Sequence, residues 1–248
     1  MRLTFDTTTL GAFTLALVRA TVWVFVIVPF SLRAVPVPVK VGLAASLALV
    51  AAPSLPAASV PLDLGGFIVA AGLQAMIGFA LGFLVVVLFS AVQAAGLLID
   101  DFAGFNLAAM IDPYADANAG PFGRLYQLCA VTLLFVTNLY LVLVQGFLRS
   151  FRAIPGARLH DVVQMVLHNL DQFLVAALEI GGPVLAVLFL TEVALGLLAR
   201  TAPAMNVFSL AFPIRISVAL LTVGVSLPFI VPALRSLMET AVRQMLAL

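Results

Sequence analysis

From Phe67 to Ile99 the chain carries no charged residue. As a helix rising about 1.5 Å per residue, this run would extend about 50 Å. A bilayer hydrocarbon core is about 30 Å thick and needs about 20 apolar residues. One perpendicular span cannot hold the run, so it must tilt, break or continue beyond the membrane. The rest of the chain is of the same kind: 64% of its 248 residues are hydrophobic and 9% are charged, with a mean hydropathy of +1.22. A soluble fold of this length leaves roughly a quarter of its unfolded surface exposed and has no way to hide so much apolar area. A water-soluble monomer, a disordered chain and a disulfide scaffold are therefore excluded. A net charge of +1 argues against nucleic-acid binding, which needs a clustered basic surface. The chain belongs in lipid, in an apolar protein assembly, or in both, and its fold class is all-α membrane protein.

Six apolar runs can be traced. The first extends from Leu10 to Phe30, interrupted by Arg19, and the second from Val37 to Ala52, bracketed by Pro36, Pro38, Pro53 and Pro56. A Pro- and Ser-rich linker from Pro53 to Gly66 leads into the charge-free third run. The fourth covers Leu125 to Leu148 and ends in a basic loop with Arg149, Arg152 and Arg158. The fifth covers Val162 to Arg200, where Gly181, Gly182 and Pro183 are expected to split it. The sixth covers Ala204 to Leu248, with breaks expected near Pro213, Pro228 and Pro232. The first run is longer than a signal-peptide core and lacks a small-x-small cleavage site, so it reads as a retained helix. With six segments, Arg2, Arg149, Arg152, Arg158, Arg235 and Arg243 fall on one side of the membrane, and Arg33, Lys40, Arg124, Arg200 and Arg215 on the other. Positive charge in short loops normally sets orientation, and this near-even division sets none.

Much chemistry is missing. Lys40 is the only lysine and follows Pro-Val-Pro-Val, so no phosphate-cradling GxxxxGK[ST] loop exists. Cys129 has no partner cysteine and reads as a small buried hydrophobe. His160 and His168 lie about 80° apart on a helix and match no metal motif. Gly224-Val225-Ser226-Leu227-Pro228 lacks the second glycine of a nucleophile elbow. Asp100 and Asp101 point about 100° apart on a helix and do not converge on one substrate atom, so they are expected to form a solvated helix end. Neither a cofactor, a metal nor a catalytic role is expected.

Some chemistry is present. Gly78 and Gly82 form a GxxxG, whose small residues let helix backbones approach closely. Arg19, Glu179 and Glu192 interrupt apolar runs, where a charge costs several kcal/mol and normally faces a partner charge, a cavity or water. Glu192 and Arg200 stand about 12 Å apart along a helix, too far for a direct pair, so their partners are expected on other helices or other chains. Between Gly104 and Gly123, Phe105, Leu107, Met110, Ile111, Tyr114 and Phe122 are scattered among Gly, Ala and Asp. Composition alone favours a loop packed on its own helices over one that closes an aperture. Buried charges and the Gly-Pro break at 181–183 would also suit a small secondary transporter.

Three patches resemble a known family. PVPVKVGLAASLALVAAPSLPAASVP from Pro36, AVQAAGLLIDDFAGFNLAAMIDP from Ala91 and LGLLARTAPAMNVFSLAFPIRI from Leu195 are similar, in order and spacing, to segments of the FliR family of flagellar export proteins. The last matches its Arg-x-x-Pro-x-x-Asn-x-Phe signature. The same family includes the SctT proteins of virulence-associated type III secretion systems, and the PSLPA linker and LGLLAR favour the flagellar branch. The resemblance implies a subunit that joins FliP-like and FliQ-like proteins in a helical export gate, through which unfolded flagellar proteins leave the cytoplasm. FlhB-like and FlhA-like proteins would complete the apparatus in the bacterial inner membrane, at the flagellar basal body. Residues 1–124 would be a FliP-like part that includes a plug loop. Residues 125–248 would end in a FliQ-like hairpin over about 162–248. By order along the chain the family's plug falls on Gly104–Gly123, which reverses the composition-based reading of that loop. Phe105, Met110, Ile111 and Phe122 would then contribute to closure, with Asp112-Pro113 turning the loop. Arg200, Pro203, Asn206, Phe208 and Pro213 would act as an inter-helix or intersubunit lock.

Overall fold

Each apolar run becomes helix in a computed structural model, which describes residues 7–31, 35–56, 60–61, 63–105, 120–153, 159–202 and 207–246. The helices are α1 (Thr7–Val26), α2 (Val37–Ala51), α3 (Leu64–Ala103), α4 (Pro121–Val136), α5 (Leu139–Ala153), α6 (Leu159–Thr201) and α7 (Val207–Leu246). Among the described residues there is no strand. Among the described residues, five helices are long and apolar enough to cross a membrane, or up to six spans if the bent α4–α5 pair counts as one. The protein is an all-α, multi-pass membrane protein.

Local sequence explains most boundaries. Pro36 sits at the N-cap of α2 and Pro38 within its first turn, where a missing N–H costs nothing. Asp63 caps α3 by accepting from the Gly66 N–H at 2.7 Å. Of the three fates open to the long third run, breaking is ruled out, because α3 is one helix of 40 residues. The fourth run does break: Asn138 takes a positive φ of 57°, and α4 and α5 meet at a 75° bend. Asn tolerates this left-handed conformation better than any apolar residue would.

The breaks expected in the fifth and sixth runs are absent. Helix α6 continues through Gly181, Gly182 and Pro183, and α7 continues through Pro213, Pro228 and Pro232. In an apolar environment no water takes up released backbone groups, so a helix keeps its remaining hydrogen bonds around a proline. Gly181 serves packing instead. A Cβ there would lie 3.3 Å from Cβ of Ala95, so the glycine brings α6 close to α3.

The chain divides into two compact units that interleave in sequence: residues 1–88, 134–171 and 238–248, and residues 89–133 and 172–237. The first unit is organised around α1. Gln74, Gly78 and Gly82 recur every four residues and so form one stripe on α3. A Cβ on Gly78 would lie 2.5 Å from the backbone oxygen of Arg19, and one on Gly82 3.0 Å from Val26. The GxxxG therefore lets α3 lie directly against α1. Arg19 is fully buried. Its Nε donates to Oε1 of Gln74 at 2.6 Å, and its Nη1 donates to Oγ of Ser150 at 3.2 Å. Its guanidinium stands 4.3 Å from the centre of the Phe151 ring. Trp23 stacks on Phe147 at 4.3 Å. Helices α1, α3 and α5 are thus pinned around one cation, which hydrogen bonds and an aromatic face make tolerable in an apolar core.

In the second unit, Ala91 of α3 clusters with Ala176 and Ala177 of α6, a seam of small residues continuous with the Gly181–Ala95 approach. Tyr126 of α4 and Ser226 of α7 share a hydrogen bond at 3.4 Å.

Candidate functional site

The end of α3 and the start of α4 meet at one residue, Asp100. At the end of α3, Gly104 adopts φ 83°, a left-handed conformation that glycine takes without steric cost. The Gly104 N–H donates to the Asp101 carbonyl at 3.2 Å and the Phe105 N–H to the Asp100 carbonyl at 2.9 Å. This paired return is the Schellman termination of a helix. At the start of α4, the Arg124 N–H donates to the Gly120 carbonyl at 3.1 Å, which makes Gly120 the N-cap. Glycine has no side chain with which to cap, and Pro121 has no N–H to satisfy. The next two N–H groups are met from α3: Phe122 donates to Oδ1 of Asp100 at 3.0 Å and Gly123 to Oδ2 at 2.8 Å.

Asp100 is therefore fully buried, and the expectation of a solvated helix end fails for it, while its neighbour Asp101 is exposed. A carboxylate accepting two N–H groups at a helix N-terminus is stabilised by both hydrogen bonds and the helix dipole. The junction is tight because glycines line it. A Cβ on Gly96 would lie 2.5 Å from the Phe122 oxygen, a Cβ on Gly123 2.7 Å from the Leu97 side chain, and a Cβ on Gly120 would overlap the Asp100 carboxylate. Phe105 and Phe122 close the junction edge to face, with ring centres 5.7 Å apart. One aspartate, through its carbonyl and its carboxylate, thus holds together both ends of the Gly104–Gly123 loop. Residues 106–119 lie outside the described residues, and with them Met110, Ile111, Asp112 and Pro113.

The sequence profile of the family described as "Bacterial export proteins, family 1" matches residues 10–241. The chain belongs to this family. It is 28% identical over 241 residues to the flagellar biosynthetic protein FliR of Bacillus subtilis (strain 168), covering 94% of this chain and 93% of that one. It is 32% identical over 203 residues to FliR of Escherichia coli (strain K12), covering 81% and 78%. It is also 29% identical over 186 residues to the Yop proteins translocation protein T of Yersinia pestis, covering 72% and 70%.

In this export-family chain the other sequence-selected residues are scattered. Phe105 and Phe122 come together, as do Gly78, Gly82 and Arg19. Arg200 is exposed at the end of α6, and Pro213 lies inside α7. Pro203 and Asn206 fall outside the described residues, as does the side chain of Phe208. Glu179 and Glu192, expected as buried charges, stand exposed on this chain. Glu192 has the partner on another helix that its spacing from Arg200 required: Arg215 of α7, at 2.5 Å. Glu179 lines a cavity of about 220 Å³ together with Pro183, Thr222 and Phe229. Among the described residues no three His, Cys, Asp or Glu side chains gather as metal ligands would.

Sequence reasoning missed the roles of Asp100, Gln74, Ser150 and Arg215. Two of them left a signal. Asp100 is the first charge after a long charge-free run, and Gln74 continues the glycine stripe by one turn.

Proposed function

We propose that this chain is a subunit of the export gate of the flagellar type III protein export apparatus, at the basal body in the bacterial inner membrane. In this reading residues 104–123 form the plug that closes the gate. The observation that carries the reading is Asp100. One residue holds the end of α3 and the start of α4 together, so both ends of the proposed plug are anchored at a single point. Phe105 and Phe122 form the base of that plug, and Met110, Ile111, Asp112 and Pro113 are assigned to the plug itself.

The flagellar branch is supported by the near-complete coverage of the Bacillus FliR protein. An assembly role is supported by the apolar surface that α6 and α7 leave uncovered, where Phe189, Leu190, Leu221, Val225 and Phe229 are all exposed. Such surface on a chain of this length belongs against lipid or sibling helices. FliP-like and FliQ-like subunits are the proposed neighbours, with FlhB-like and FlhA-like proteins completing the apparatus and unfolded exported proteins in transit. Residues 1–124 take the FliP-like part, and about 162–248 the FliQ-like part. Arg200, Pro203, Asn206, Phe208 and Pro213 form the proposed intersubunit lock. We assign the chain no catalytic step. The transporter reading loses its helix break, since α6 is unbroken at Pro183; of its charges, Glu192 is engaged by Arg215 and Arg19 by Gln74 and Ser150, while Glu179 stands exposed on this chain.

Deleting residues 106–119 tests the plug. The expected outcome is an assembled gate whose membranes leak ions and small metabolites. If the shortened chain still assembles with its FliP-like and FliQ-like neighbours and the membrane stays as tight as wild type, the plug assignment is wrong.

A further inference from the structure

A second site lies in the first unit, away from the loop. The last turn of α2, the short 3₁₀ turn Ala52–Ser54 that follows it and the last turn of α5 flank an open cleft of about 250 Å³, lined by Val50, Ala51, Ser54, Leu148, Arg149 and Arg152. Arg149 and Arg152 are three residues apart on α5 and so project from one face. Neither takes part in an ion pair among the described residues, and the described lining contains no carboxylate. Two guanidinium groups beside a hydroxyl, that of Ser54, make a donor set for a phosphate group.

The surroundings choose the source of that phosphate. The cleft lies where the candidate span Val37–Ser54 ends and where α5, the second limb of the bent pair, ends. Where these helix ends mark the ends of membrane spans, the cleft lies at the level of lipid headgroups. Its apolar wall continues onto an uncovered strip of α2, where Leu49 and Val50 are 65% and 64% exposed. A free phosphate would have no use for this strip, whereas an acyl chain would lie along it. A zwitterionic headgroup would bring a cation that the lining has no anion to receive.

We propose that this cleft binds the headgroup phosphate of an anionic glycerophospholipid, with Arg149 and Arg152 holding the phosphate and Leu49, Val50 and Leu148 holding the start of an acyl chain. Basic pockets between membrane helices hold anionic lipid headgroups by this combination of charge and apolar contact.

The test is native mass spectrometry of the full chain, delipidated in detergent and titrated with phosphatidylglycerol, phosphatidylcholine or inorganic phosphate. Each basic residue near an anionic lipid adds about a fivefold factor in affinity. Replacing both (Arg149→Gln with Arg152→Gln) should therefore weaken phosphatidylglycerol binding about 25-fold, with phosphatidylcholine little affected. A second variant, Val50→Trp, fills the cleft and leaves both arginines in place; it should lose the same lipid. The proposal is overturned if the double variant or Val50→Trp retains phosphatidylglycerol as wild type does. Equal binding of phosphatidylcholine overturns it too, by reducing the site to an annular contact. So does displacement of the lipid by millimolar inorganic phosphate, which would make this a site for the free anion.

Discussion

Arg19 and Asp100 are both fully buried charges in apolar helices, and the protein accommodates them in opposite ways. Arg19 is met by side chains from distant parts of the chain: Gln74 of α3 and Ser150 and Phe151 of α5. Asp100 is met by the backbone N–H groups of Phe122 and Gly123. A charge held by side chains of several helices ties those helices together, and its loss is felt throughout the unit. A charge held by backbone amides at a helix end fixes where that helix begins and ties it to one neighbour, here α4 to the end of α3. The first arrangement suits a scaffold, and the second suits a local junction between two helix ends.

The largest effect is expected from Arg19→Ala. It removes a large side chain from a sealed site and takes away the donor that Oε1 of Gln74 and Oγ of Ser150 accept from, at a cost of about 4 kcal/mol. Detergent-driven unfolding of the purified chain would measure it. A loss below about 1 kcal/mol, the size of an ordinary substitution, would remove Arg19 from its place at the centre of the unit.

Asp100→Asn keeps shape and volume but turns one accepting oxygen into a donor facing an N–H. Hydrogen bonds to charged groups are worth about 1.5–3 kcal/mol, so about 2 kcal/mol should be lost, and locally. Amide hydrogen exchange at Phe122 and Gly123 should accelerate while the helices of the first unit stay protected. In the assembled gate the same variant should leak without losing subunits. Faster exchange spread through α1 and α3 would erase the contrast between the two charges.

The third effect comes from the stripe beneath Arg19. Gly78→Ala puts a methyl group against the Arg19 backbone oxygen, 2.5 Å from the new Cβ. Overpacking of this kind costs about 1–3 kcal/mol, and the better helix propensity of alanine returns about 1 kcal/mol. A net loss of about 1 kcal/mol, with Arg19 shifted and Asp100 undisturbed, is expected from unfolding and exchange together. A stabilised variant would mean that α1 and α3 separate freely, and the scaffold reading of the first unit would fail.

Legibility from sequence follows the same division. The helices were readable because apolar runs of this length, with so few charges, have no other stable form. The GxxxG was readable as a packing face, but its partner was not, since nothing local points to α1. The prolines misled because their reputation as helix breakers comes from helices in water, and α6 and α7 run through Pro183, Pro213, Pro228 and Pro232 without interruption. Asn138 gave no warning of the 75° bend, because one polar residue in an apolar run has no pattern. Asp100 was misread because its neighbour Asp101 drew attention to their mutual angle. Its real partners are backbone amides more than twenty residues away, and a backbone amide looks the same at every position of a sequence. The loop's own composition favoured a bland answer, and only the family resemblance pointed to a plug.

The smallest effect should come from a third kind of charge, the pair that both side chains share with the surface. Arg215 and Glu192 meet at 2.5 Å with 27% and 50% of their side chains exposed, and exposed pairs are typically worth less than about 1 kcal/mol. In the isolated chain, a double-mutant cycle over Glu192→Gln and Arg215→Gln should give a coupling of about 0.5 kcal/mol, far below the loss from Arg19→Ala. If α6 and α7 lie against sibling subunits, the pair is desolvated there and its partners become costly to separate. The same single substitutions should then weaken assembly far more than they weaken the lone chain. Co-purification of the variants with neighbouring subunits, set beside their unfolding, measures that ratio. A ratio near one would place the pair on a lipid-facing or water-facing side of the gate, leaving α6 and α7 to find their neighbours through apolar contact alone.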